Sequence, residues 1–268
     1  MYSLKKSFNM IFVLGILMMF LSCTLFGPKE KEELPFSLPM QSTMEPDFSN
    51  FEPNSSGKIR TIDTSLTSYK NWGEAVTVVS VWKILVTITL SAPIAVYGAA
   101  LNQEPVLTDS GYVWKYSKQH GLTTYHAELL GYLTLEKVNW KMRVSGGVFT
   151  DFLWCTGSSE MSGTSGQWIF YETGSDTLGV IDWTRQSDTN KSIKITSKKS
   201  DSYGNYLSYT VSNSNRAFVI EDLAKGKKYE VNWNYDTKAG NTKATSDGAT
   251  GTKCWDTTLQ NTVCPDET

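Results

Sequence analysis

Apolar and polar residues alternate one by one through most of the second half of this chain. Tyr112, Trp114 and Tyr116 alternate with Val113, Lys115 and Ser117. Val138, Trp140, Met142 and Val144 alternate with Asn139, Lys141, Arg143 and Ser145, and Val231 and Trp233 alternate with Asn232 and Asn234. Successive side chains on a strand point to opposite faces, so a period of two predicts strands that are buried on one face and wet on the other. Turn-forming clusters separate the runs: Gly146-Gly147, residues 163–166, Asp188-Thr189-Asn190, Gly204-Asn205, Asn213-Ser214-Asn215, Lys225-Gly226 and residues 236–240. Links this short make sequential strands spatial neighbours. Their spacing over residues 111–268 predicts about nine or ten strands. A meander of that length is expected to curl or close in order to hide its edges. The fold class is therefore mainly β, a curled antiparallel meander or barrel-like sheet, lipocalin-like at the level of fold.

A different pattern precedes the strands, in the helical segment of residues 59–110. Asn71 with Glu74 three residues on reads as an N-cap and its partner. Thr77, Ser80, Lys83, Thr87 and Ser91 then recur at spacings of three and four, one polar stripe on an otherwise apolar helix that carries Val76, Val79, Val81, Trp82, Leu85, Val86, Ile88 and Leu90. The spacing predicts one helix around residues 72–91, packed on the sheet and ended or kinked by Pro93. A membrane helix competes with this, although Lys83, Pro93 and the polar stripe oppose it. A strand competes as well, because Val86, Ile88 and Leu90 alternate with threonines.

The first residues carry an address. Lys5 and Lys6 precede an apolar run from Met10 to Leu21, followed by Ser22-Cys23. Basic start, apolar stretch and small residue before a cut are the parts of a secretory signal. With a cysteine directly after the cut, Leu21-Ser22-Cys23 resembles the lipobox of bacterial lipoproteins. The resemblance implies that residues 1–22 are removed, that Cys23 carries a diacylglycerol and is acylated (the palmitate class of modification), and that the protein sits in the cell envelope on the outer membrane, held by lipid. Residues 23–58 read as a lipidated, disordered tether, with Pro28, Pro35, Pro39, Pro46, Pro53 and the charge run Lys29-Glu30-Lys31-Glu32-Glu33.

Charge and cysteines narrow the function classes. Loss of residues 1–22 removes two lysines and no acid, and takes the formal net charge of −2 to −4. A mildly acidic chain lacks the basic surface that nucleic acid requires. With Cys23 on lipid, Cys155, Cys254 and Cys264 remain; Cys254 and Cys264 bracket a short polar loop and are read as a disulfide, and Cys155 as a buried inert thiol.

Six tryptophans, Trp114, Trp140, Trp154, Trp168, Trp183 and Trp233, each fall in a different predicted strand. They are either a core of large side chains or the lining of a site for an apolar or carbohydrate ligand. Four residues are weak catalytic candidates. His126 and Glu128 share one face of a strand, and the carboxylates Asp151 and Asp182 lie near tryptophans. Only two histidines are present, too few to place a metal site. The chain carries no phosphate-cradling glycine loop and no other cofactor signature, so no cofactor is expected. The leading expectation is a non-catalytic envelope binding or interaction module. An enzyme acting on envelope glycans or lipids and an assembly subunit that docks through residues 71–101 are the alternatives.

Overall fold

Fourteen strands follow one another in a single antiparallel sheet, each beside its sequence neighbour, from β1 to β14. They are β1 (Val106–Thr108), β2 (Gly111–His120), β3 (Thr123–Leu133), β4 (Lys137–Gly146), β5 (Phe149–Glu160), β6 (Ser165–Tyr171), β7 (Thr177–Ser187), β8 (Asn190–Ser197), β9 (Tyr206–Ser212), β10 (Asn215–Asp222), β11 (Lys227–Asn234), β12 (Gly240–Ser246), β13 (Ala249–Trp255) and β14 (Asn261–Thr262). One helix, α1 (Lys70–Ala100), precedes them. This computed structural model describes residues 33–47, 49–51, 67–100, 102–120, 122–173 and 175–265. The signal and Cys23 lie outside the described residues, as do the side chains of Val81, Trp82, Leu85, Val86, Ile88 and Leu90.

The meander is as expected, but its closure is not. β1 pairs only with β2, and β14 only with β13. The sheet is open, so the barrel-like, lipocalin-like cup is corrected to an open meander. Its edges are blunted rather than joined. Both terminal strands are very short, and a short edge offers little backbone to an outside strand. At the β14 end the Cys254–Cys264 bridge fastens the last strand, with a Cα separation of 5.2 Å. The bridge closes a loop ten residues along the chain, worth roughly 3 kcal/mol by chain entropy. Reduction, or Cys264→Ser, should therefore lower the melting temperature by about 6–12 °C for a chain this size. An unchanged melting temperature in reductant would show the bridge to be idle.

One face of the sheet is the core. The register carries an unbroken row across it: Val138, Ser159, Gly166, Trp183, Ile193, Tyr209, Phe218 and Val231. All of these but Gly166 are buried. Two elements cover the face. The first is α1, which buries Ala75, Val79, Ile94, Tyr97 and Ala100 at helical spacings and meets β2, β3 and β12–β14. Among the described residues no helix is long and apolar enough to cross a membrane. α1 also runs past Pro93, which removes a single main-chain donor. Asn71 does not cap it. Its side chain donates to the Cys254 carbonyl at 2.8 Å, its main-chain N–H donates to Asn261, and Glu74 pairs with Lys253. The polar start of the helix is thus a clasp onto β13–β14.

The second cover comes from the stretch read as tether. Phe36, Thr43 and Met44 are buried, and Phe36 is the first residue of the compact unit that runs to Thr268. Proline density kept this segment from repeating structure but did not keep it off the sheet. Phe36 stacks edge-on against Tyr112 and Trp140, and Phe51 does the same against Trp233.

Candidate functional site

The tryptophans form the core on the covered face. Trp114, Trp140, Trp168, Trp183 and Trp233 are each no more than 5% exposed. Trp114, Trp140 and Trp168 lie on alternate strands with ring centroids 6.0 and 6.3 Å apart. Glycines fill the positions between them. A Cβ on Gly131 would lie 2.7 Å from the Trp140 ring, one on Gly157 would lie 2.4 Å from Trp168, and one on Gly166 would lie 2.6 Å from Trp183. Gly240 does the same beneath Trp255, which is buried at the end of β13 and not part of the polar loop that follows Cys254. Each indole therefore lies over a strand that has no side chain at that position, which is how so many large rings fit on one face.

Some of their polar edges are served locally, whereas Trp114 Nε1 and Trp183 Nε1 are buried without a hydrogen-bond partner among the described residues. Trp140 Nε1–H donates to Ser159 Oγ at 3.0 Å, Trp168 Nε1–H to Thr43 Oγ1 at 3.3 Å, and Trp255 Nε1–H to the Lys238 carbonyl at 2.7 Å. Trp168, and Trp233, whose Nε1–H donates to Asn50 Oδ1 at 3.2 Å, thus hold the sheet to its N-terminal cover. Trp154 stands apart: it is half-buried beside a register shift opposite Met142 and Arg143, and it packs with Phe149 and Phe152. Cys155, next to it, is fully buried, and burial pushes its thiol far above the ordinary range, so it stays protonated and inert.

The uncovered face holds the other candidates. Register brings three of them together. Glu128 lies opposite Arg143, His126 opposite Ser145, and Arg143 holds Asp151 at 2.7 Å. Asp151 has a positive φ of 46°. Arg143 binds both its carboxylate and its carbonyl, and its N–H donates to Ser145 Oγ, so the left-handed backbone is fixed on three sides. Lys115 pairs with Glu128 at 3.2 Å, and His126 Nδ1 shares a hydrogen bond with Ser117 Oγ at 2.8 Å. These are two solvent-accessible ion pairs and one hydrogen bond, contacts that occupy the candidate groups with one another. Asp182 is elsewhere, on β7, where it accepts from Gln167 at 2.7 Å. Among the described residues no cluster of three or more His, Cys, Asp or Glu side chains could hold a metal.

Beyond those pairs the same face is broad and polar. One row reads Ser158, Gln167, Asp182, Lys194, Ser208, Val219, Glu230, Lys243 and Thr252 across nine strands. Open grooves lie on this face, among them one of about 820 Å³ beside Ile169, Val180 and Tyr203 and two smaller ones. The first, about 420 Å³, is lined by Ser158, Gln167, Asp182, Thr184, Ser192 and Lys194. The second, about 430 Å³, runs over β9–β12. Its floor is Ala217, short enough to leave a depression between Thr210 and Asn232. Its walls are amides: Asn232 donates to Asn241 at 3.2 Å, and Asn234 to Asn215 at 3.4 Å. Each of these amides keeps further donor or acceptor capacity beyond the bond it makes. Isolated Asn, Ser and Thr read in the sequence as ordinary solvent-facing positions; only the cross-strand register collects them into a groove. Compared with known protein families, characterised proteins and solved structures, the chain matches none.

Proposed function

We propose that this protein is a bacterial lipoprotein, anchored through lipid on Cys23 in the cell envelope at the outer membrane, and that it is a non-catalytic binding module for a carbohydrate. The observation that carries the reading is the uncovered sheet face with its groove over β9–β12, where the amides of Asn215, Asn232, Asn234 and Asn241 and the hydroxyls of Thr210 and Ser212 gather beside Arg216 and Trp233. Sugars are bound by planar amides and hydroxyls that donate and accept at once, and such a surface needs no metal and no nucleophile. The Cys254–Cys264 bridge fits an oxidising compartment. An apolar ligand is less well served, since the large rings are spent on the core. The enzyme reading is weakened by the pairing of Asp151 with Arg143 and the separation of Asp182 from the other candidates. The assembly reading needs a free helix, whereas α1 is clasped at Asn71 and Glu74 and stacked at Tyr97.

The test is binding of the full chain to envelope glycan fragments, with Asn232→Ala and Asn241→Ala variants. Both residues face the groove, so the fold should survive, while affinity should fall about tenfold or more, the equivalent of roughly 1.4 kcal/mol. Glycan binding that ignores both substitutions would move the site elsewhere, and no binding at all would end the carbohydrate reading. Anchoring is tested separately: Cys23→Ser should release the protein from membranes and remove its acyl mass.

A further inference from the structure

We infer that one end of the sheet rests on the lipid bilayer, so that the anchored protein stands with its strands upright and its polar face directed sideways. The inference rests on the lipid anchor proposed above and adds an orientation to it. The end in question carries the turns at residues 109–110, 134–136 and 161–164. Six apolar side chains are exposed along it: Val106 and Leu107 on β1, Tyr132 and Leu133 at the end of β3, Leu135 at the tip of the next turn, and Met161. Leu135 is wholly exposed and Val106 is 65% exposed. They are neighbours by register. Leu107 lies opposite Tyr112, Tyr112 opposite Gly131, and Leu133 opposite Val138, while Lys137 lies opposite Glu160, the residue before Met161.

Where the chain enters the fold says what covers this rim. Phe36 stacks on Tyr112 at the start of β2, and Ser37 N–H donates to the Met161 carbonyl at 2.9 Å. The chain from the anchor therefore arrives at this same end. Twelve residues separate Cys23 from Phe36, and even fully extended they reach about 45 Å. β5, with 12 residues, is about 40 Å long. Standing on the opposite end would use nearly all of that leash just to run the length of the strands. Standing on the entry end uses almost none of it. Asp109, Glu136, Lys137 and Glu160 give the rim no positive excess, so the fit is to a neutral, zwitterionic surface and not to anionic lipid. A few apolar side chains bind a bilayer only marginally alone. With the acyl chains already inserted, the local concentration of membrane is high enough for them to set orientation.

The test uses the full acylated chain with Leu135→Cys carrying an environment-sensitive fluorophore, on phosphatidylcholine vesicles. Cys155 is buried and Cys254 is bridged to Cys264, so the new thiol is the reactive one among the described residues. Val148→Cys, an exposed tip at the opposite end, is the control. The expected result is a several-fold rise in emission at position 135, quenched by brominated lipid, with no change at position 148. Protein that floats with the vesicles while position 135 behaves like position 148 overturns the orientation and leaves the anchor standing. Protein that does not float overturns both. A rise at position 135 that lipid cannot quench and that grows with protein concentration assigns the rim to a second copy of the chain and also overturns the inference.

Discussion

Gly157→Ala will destabilise the protein by about 3 kcal/mol, while Gly251→Ala will leave it unchanged or slightly more stable. Both glycines sit in strands, β5 and β13, and neither has a positive φ. Backbone conformation therefore tolerates alanine at each, and the difference comes from space alone. At Gly157 the new methyl would lie 2.4 Å from the Trp168 ring and 2.7 Å from the Gln167 carbonyl oxygen. The ring is held by Tyr97, Trp140 and Thr43, and the carbonyl belongs to the neighbouring strand. Neither can yield without moving the core or opening the β5–β6 pairing. At Gly251 nothing lies within 4 Å, and alanine restricts the unfolded chain, worth a few tenths of a kcal/mol or more in favour of the fold. Chemical denaturation of the two variants beside the parent measures the contrast. Equal losses at both positions would mean that the tryptophan–glycine interleaving is not what packs this face.

That interleaving also marks how far the sequence could be read. The period of two places Trp114, Trp140 and Trp233 on strands, and the structure buries all three. The sequence does not tell which strand stands opposite which tryptophan, so Gly131 passes as a weak strand position, Gly157 as part of a Gly/Ser-rich hairpin loop and Gly240 as a turn residue until register puts all three beneath the rings. Strand number is underestimated for a related reason. β12 and β13 are rich in Gly, Thr, Lys and Ala and bury little, so they lack the alternation that betrays a strand, yet they pair in full register. Closure fails as an expectation because edge protection has more than one solution, and short end strands with a disulfide clasp leave no signal in periodicity. Asn71 and Glu74 fit a capping box by spacing, but tertiary partners 183 and 179 residues away take both side chains. The amide groove over β9–β12 is the least legible feature, since Asn215, Asn232 and Asn241 become a site only through two cross-strand registers.

Trp168→Ala will cost about 4 kcal/mol, the largest loss expected from truncating any one side chain described here. Trp168 is where three layers meet. Its ring lies over Gly157 of the sheet, stacks edge-on at 5.3 Å with Tyr97 of α1, and donates from Nε1 to Thr43 of the N-terminal cover. Tyr97 is itself fully buried, with its hydroxyl donating to the Pro39 carbonyl at 2.6 Å, and burial holds its pKa well above the ordinary tyrosine range. Removing the indole leaves a cavity that neither α1 nor the 36–51 segment can close without giving up such bonds. A loss below about 1 kcal/mol would show that the site collapses freely and that the cover is held elsewhere. The two substitutions can then be combined. Once the ring is gone, two of the three nearest atoms to a methyl at Gly157 are removed and the Gln167 carbonyl oxygen at 2.7 Å is left, so Gly157→Ala should cost markedly less in the Trp168→Ala background than alone. A coupling of about 1–2 kcal/mol in this cycle would be the direct measure of one indole fitted over one glycine. Strict additivity would place the strain of Gly157→Ala in the backbone instead.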